Sequence, residues 1–282
     1  MTTTAIKPAA DQTLRSVLAA RVEDTRPGTL AASMTFGWRA LLKLKHDPQQ
    51  VFDALMFPIM FTLMFTYLFG GALAGSTHEY LQFFLPGVFV FTVVMLTMYT
   101  GVGLNMDVSQ GVFNRFRSLA IWRPAVLVGS LLGDAVRYTL AAAVVVGLGL
   151  ALGFRPSGGV AGVVMSLVLV LVFAFSLSWV FTALGLVVKS PAAVQGVSMP
   201  LLFPFVFASN LFVDPNTMPG WLQAVVDVNP FSLTVSAVRD LMDGTVPAGQ
   251  IGSVLVACAA IVAVFAPLTM RLYGTKSSAD AV

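Results

Sequence analysis

The chain is predicted to be an all-α membrane protein with six transmembrane helices, and three observations carry that prediction. Apolar residues make up 57% of its 282 residues and charged residues only 10%, a balance outside that of ordinary soluble domains. The apolar residues collect into six runs of about 20, the length a helix needs to cross a hydrocarbon core of about 30 Å. Lipid offers no partner to unpaired backbone groups, so such crossings must be helical. Once the runs are threaded through a bilayer, fourteen of the sixteen Lys and Arg residues fall on one side. The positive-inside rule makes that side cytoplasmic and places both termini there.

Taken in order, residues 1–28 are rich in Thr, Ala and charge and break at Arg26-Pro27-Gly28, as expected of a flexible cytoplasmic tail. Between Thr29 and His46, the spacing of Leu30, Met34, Trp38 and Leu41, with Arg39, Lys43 and His46 set to one side, predicts an amphipathic helix lying on the inner leaflet. Asp47-Pro48-Gln49-Gln50 supplies a cap and a first-turn proline for the next helix. The predicted spans are Phe52 to Ala74, Gln82 to Asn105, Leu131 to Gly153, Val160 to Val188, Ala192 to Phe212 and Gln250 to Met270. Short outer connections join spans one to two and three to four. The inner segment Met106 to Ser130 and the outer segment Val213 to Gly249 are longer. Ser232 to Met242, in the latter, is too short to cross and too apolar for a plain loop, which predicts a re-entrant dip from the outer face. Residues 29–275 form one six-span domain, and 276–282 a cytoplasmic tail.

Several functions are excluded. The net charge of +3 and pI near 9.2 reflect cations placed against inner-leaflet lipid, so no nucleic-acid partner is expected. The lone Cys258 and the two histidines, His46 and His78, have no companions at ligand spacing, so neither a disulfide framework nor a metal site is predicted. About fifty residues precede the first apolar run, unlike a signal peptide. The tail Gly274-Thr275-Lys276-Ser277 lacks the glycines of a phosphate loop, and no catalytic residues are nominated. Deep intramembrane carboxylates for ion coupling are missing; Asp134 and Arg137, three apart at the inner start of span three, are spaced to pair.

The informative segment is Asp107-Val108-Ser109-Gln110-Gly111-Val112-Phe113-Asn114-Arg115-Phe116-Arg117-Ser118-Leu119-Ala120-Ile121. On a helix, Asp107, Gly111 and Arg115 make one stripe, and Val112, Phe116 and Leu119 an apolar stripe beside it. A short cytoplasmic helix with an apolar knob and a basic rim suits a groove on a soluble partner; a solvated basic loop that sets topology is the alternative reading.

The Asp-x-x-x-Gly-x-x-x-Arg-Phe-Arg-Ser-Leu run resembles the cytoplasmic signature of the daunorubicin-resistance (DrrB-like) permeases of the type-2 ABC exporter class. Met218-Pro219-Gly220-Trp221-Leu222 and Asn229-Pro230-Phe231 are also similar to that class, and the likeness extends over about residues 30 to 275. Ala120 stands where family members often have Pro. The resemblance implies that this segment is a coupling helix, with Asp107, Gly111, Arg115, Phe116 and Arg117 contacting a cytoplasmic ATP-binding subunit. ATP and Mg would then sit on that subunit, and this chain would carry no cofactor and no ATPase site of its own.

The resemblance further implies a pair of permeases, here expected as a homodimer in a bacterial plasma membrane, with lipid around it and an amphipathic small molecule as cargo. Similar exporters line the path with spans two and five. Those spans offer Phe89, Phe91, Met95, Met98, Tyr99 and Asn105, then Met199, Phe203, Phe207 and Asn210; aromatic and Met side chains adapt to flat apolar cargo. Pro58, Pro200, Pro204 and Pro267 lie within spans and can kink them. The expected function is therefore ATP-driven export of an amphipathic drug, antibiotic or lipid-like molecule. The alternatives are a permease for a lipid-linked glycan, a secondary transporter, or a non-transporting membrane sensor. A secondary transporter would need buried ionisable groups at midplane, and a sensor would work without an ATPase.

Overall fold

The structure, a computed structural model, describes residues 48–109 and 124–279. The predicted amphipathic helix at 29–46 lies outside the described residues, as does most of the segment after Ser109. Eight α-helices are described: α1 (Pro48–Ala74), α2 (Thr77–Ser109), α3 (Pro124–Leu152), α4 (Gly159–Val187), α5 (Pro191–Phe207), α6 (Gly220–Val228), α7 (Pro230–Met242) and α8 (Ala248–Ala279). Among the described residues there is no strand.

Local chemistry sets the helix ends. Ser76 Oγ accepts from the Glu79 backbone N–H at 3.1 Å at the start of α2, and Ser190 Oγ accepts from Ala193 N–H at 3.3 Å at the start of α5. Both satisfy first-turn donors that have no partner within the helix. Gly153 and Gly244 terminate α3 and α7 at φ of 103° and 87°, a conformation that a side chain disfavours.

Four helical stretches are long and apolar enough to cross a bilayer: Thr77–Ser109, Gly133–Leu152, Gly159–Val187 and Ala248–Leu272. The apolar parts of α1 (Met56–Ala72) and α5 are shorter. Helix α2 is the centre of the bundle, with 83% of its most apolar stretch buried against 11% for α8. It packs on α1, α3, α4, α5 and α7, and α4 in turn packs on α7 and α8. The outward surface is itself apolar, with Met60 and Leu68 on α1, Val160 and Val168 on α4, and Val256 and Val264 on α8 exposed. Exposed aliphatic faces of this kind require lipid rather than water around them.

The fifth predicted span, Ala192 to Phe212, is corrected. Its helix ends at Phe207, and residues 208–213 run as bends. Seventeen residues give α5 a length of about 25 Å, against about 43 Å for the twenty-nine of α4. Pro200 and Pro204 lie in its second half and remove backbone donors from the ladder. Beyond them, Asn229 Nδ2 donates to Phe205 O at 2.6 Å and to Ala208 O at 2.7 Å, which caps the broken end from outside. Asn229 Oδ1 also accepts from Phe231 N–H at 3.0 Å and so starts α7. One side chain therefore closes α5 and opens α7.

Helix α7 runs antiparallel to α4. Ser166 Oγ donates to Val238 O at 3.4 Å, and Gly158 N–H donates to Met242 O at 2.8 Å, so moving up α7 moves back toward the start of α4. A Cβ on Gly162 would overlap Leu241 O; the missing side chain is what allows this approach. Phe231, Val235, Val238 and Met242 are buried by it.

Candidate functional site

Helix α1 carries Phe57, Phe61, Phe65 and Phe69 at four-residue spacing, which stacks them along one face. They meet rings from α2 and from the segment after α5. Phe61 and Phe65 lie 4.4 Å apart between centroids, Phe61 and Phe91 5.2 Å, Phe65 and Phe84 5.5 Å, and Phe65 and Phe212 5.3 Å. The band continues through Phe212 to Phe207 at 5.5 Å and to Phe203 at 5.3 Å, all within the range of favourable ring pairing. It begins in the core at Phe84 and ends on the surface at Phe203 and Phe207. Three of the residues predicted from spans two and five, Phe91, Phe203 and Phe207, are thus brought onto one band. The α1 rings went unnominated, although their regular spacing is plain in the sequence.

The other nominated residues are placed differently. Phe89 and Met98 are fully buried in the core, while Met95, Tyr99 and Met199 are half-buried at its edge. Asn105 Nδ2 donates to Gly185 O at 2.8 Å and to Val188 O at 2.7 Å, and Asn210 Nδ2 donates to Ser236 Oγ at 2.7 Å. The first ties α2 to the end of α4, and the second ties the bent segment after α5 to α7.

Two charged groups organise the ends of the bundle. Arg239 on α7 donates from Nε to Phe83 O and from Nη2 to Asn210 O, each at 3.2 Å, and its guanidinium lies 4.0 Å from the Phe83 ring centroid. It thereby ties α7, α2 and the bent segment after α5 together. Burial lowers its pKa to about 10, opposed by the carboxylates of Asp243, Asp240 and Asp214, so it stays a cation at neutral pH. Arg137 on α3 pairs with Asp134 at 2.8 Å as the spacing predicted and donates to Leu96 O at 3.2 Å. Thr100 Oγ1 donates to Asp134 Oδ2 at 2.6 Å and lies 2.7 Å from the Tyr138 hydroxyl, which is 3.2 Å from Ser178 Oγ. This hydroxyl chain joins α2, α3 and α4 with its buried polar atoms paired.

Of the predicted coupling residues, Asp107 sits half-buried in the last turn of α2; Gly111, Arg115, Phe116 and Arg117 lie outside the described residues. Among the described residues, no three His, Cys, Asp or Glu side chains gather as a metal ion would require.

The lipid-facing bundle, built around buried apolar helices and a surface-reaching aromatic band, is that of a multi-pass integral membrane protein. The chain belongs to the ABC-2 type transporter family, whose profile matches residues 32–242. It is 53% identical over 265 residues, 94% of each chain, to the daunorubicin resistance ABC transporter permease protein DrrB1 of Streptomyces coeruleorubidus. It is 25% identical over 216 residues, 76% of this chain and 78% of the relative, to a probable doxorubicin resistance ABC transporter permease protein DrrC of Mycobacterium tuberculosis. A putative transport permease, ycf38, of Cyanophora paradoxa is 24% identical over 72% of this chain and 71% of its own. The family's members are permease subunits, which are not themselves the ATPase, and membership implies an ATP-binding partner subunit.

Proposed function

We propose that this chain is the membrane subunit of an ATP-driven exporter that moves an amphipathic drug, antibiotic or lipid-like molecule out of a bacterial cell. The observation that carries this reading is the 53% identity, over 94% of both chains, to a permease named for daunorubicin resistance. In this reading α1 and α5 also count as spans, giving six, with both termini cytoplasmic and α6–α7 dipping into the membrane from outside. Two copies pair, and Asp107, Gly111, Arg115, Phe116 and Arg117 meet the ATP-binding subunit. Closure of that subunit on ATP favours the outward-open arrangement of the pair, a population shift set by ATP's differential affinity for the two states.

The cargo path follows the aromatic band. Met199, Phe203 and Phe207 on α5, with Met95 and Tyr99 on α2, keep open surface, whereas Phe89, Phe91, Met98, Asn105 and Asn210 are buried. Rings and thioethers receive flat apolar molecules without a fixed hydrogen-bond pattern. The test is reconstitution of the chain with its ATP-binding subunit in proteoliposomes. Phe116→Ala and Gly111→Trp are expected to leave membrane insertion intact and to uncouple ATP hydrolysis from export. Survival of both subunit association and transport in these variants would overturn the assignment.

A further inference from the structure

The geometry points to Asn105 as the positioning residue that carries motion from the segment after Ser109 into α5, an inference that rests on the exporter reading above. Asn105 is one turn from the inner end of α2 and only 3% exposed. The last carbonyls of a helix have no partner within it. Here the open carbonyls at the end of α4, Gly185 O and Val188 O, both accept from Asn105 Nδ2, at 2.8 and 2.7 Å. An amide from one helix thus closes the end of another.

A second contact lies one turn away. A Cβ on Gly101 would overlap Phe181 O, and a Cβ on Gly185 would overlap Gly101 O, so α2 and α4 touch backbone to backbone. Close backbone approach through glycine leaves no flexible side chain between the helices to absorb a displacement. Together the glycine crossing and the Asn105 bonds hold α2 to α4 at two points along the helix, which resists rotation about either. Leu104, Leu186, Val108 and Leu272 pack beside them and bring in α8.

The chain then leads directly to α5. Val188 is extended at φ −80° and ψ 145°, and Ser190, two residues on, caps α5 through Ala193 N–H at 3.3 Å. On the other side, α2 continues unbroken from Asn105 to Ser109 and enters the proposed coupling segment. A displacement of that segment therefore moves the start of α5 as one body with α2 and α4. Along α5 it reaches Met199, Phe203 and Phe207. Asn105 Oδ1 finds no partner among the described residues, so the Nδ2 donation is what fixes the side chain.

The test uses the full permease with its ATP-binding subunit in proteoliposomes, with daunorubicin as the transported probe. Asn105→Leu preserves bulk and removes the donor. It is expected to leave subunit association and ATP hydrolysis within about twofold of the native complex while transport per ATP falls about tenfold. Asn105→Gln, which restores a donor on a longer arm, should recover part of the ratio. An unchanged ratio in Asn105→Leu overturns the inference, and a native complex without ATP-dependent transport overturns the exporter reading instead. A second measurement leaves Asn105 in place: spin labels on Ser109→Cys and Lys189→Cys, both exposed positions, should keep one distance with and without ATP. A distance that changes with ATP shows that the two segments do not move as one and overturns the inference even if Asn105→Leu fails to fold.

Discussion

Arg239 lies with its guanidinium 4.0 Å from the centroid of the Phe83 ring while donating to the Phe83 carbonyl at 3.2 Å. One residue of α2 thus offers both its π face and its backbone acceptor to a single cation from α7. The third partner, Asn210 O, belongs to the bent segment that replaces the end of α5. The cation accordingly stands in for part of the backbone ladder that the broken helix lost.

Replacing Arg239 with Met should loosen all three elements. Hydrogen bonds to charged groups contribute about 1.5–3 kcal/mol each, and partial exposure lowers that, so a total loss of about 2 kcal/mol is expected. Arg239→Lys, a point charge without the planar fork, should recover less than half. Thermal unfolding of the detergent-purified protein measures both. Burial lowers the pKa of Arg239 only to about 10, so the group changes charge only above about pH 9 and this contribution should be flat between about pH 6 and 8.

Tyr138→Phe removes the central hydroxyl of the chain that runs from Ser178 to Asp134 through Thr100. A buried polar group left without its partner costs about 1–3 kcal/mol. Adding Thr100→Val should cost less than the two separate losses combined, with a coupling of about 0.5–3 kcal/mol in a double-mutant cycle. Strict additivity would show that the 2.7 Å contact between these hydroxyls has no energetic role.

Glycines two apart on α2 should respond oppositely. A Cβ at Gly101 overlaps the Phe181 carbonyl, whereas nothing lies within 4 Å of a Cβ at Gly103. Gly101→Ala is expected to destabilise by about 1–3 kcal/mol, the range for overpacking. Gly103→Ala should be neutral or slightly stabilising, since alanine favours the helix. Comparing the Tm of the two purified variants decides it.

Phe203 and Phe207 are 46% and 61% exposed, so replacing both with Ala should cost little stability. If the band receives cargo, the KM for daunorubicin transport should rise severalfold, with ATP hydrolysis retained. Val197→Ala, also on α5 and exposed but outside the band, is the control.

Much of the bundle was legible because a long apolar run has few solutions in lipid. The described ends of α2 and α4 fall within five residues of the predicted spans. The pairing of Asp134 with Arg137 was legible for a different reason, being set by i,i+3 spacing on one helix. The end of α5 was not, because Ala208 to Phe212 is apolar enough to extend the run and the bonds that hold it open come from Asn229, more than twenty residues on. Thr100, Tyr138 and Ser178 were likewise hidden, since their meeting depends on how three helices dock. Asn105 lies on a helix that the resemblance ties to the path, yet its amide is bonded to the end of α4, a contact that depends on how the two helices dock. The coupling residues beyond Asp107 fall outside the described structure, so their role rests on sequence alone.

The aromatic band also bears on where a flat hydrophobe would first settle. Phe84 is wholly buried whereas Phe203 and Phe207 stay open, so in the proposed reading an arriving molecule would rest on the α5 rings. Passage further in, among neighbouring rings that stand 4.4 to 6.2 Å apart from Phe61 to Phe84 and on to Phe212, would require those rings to part.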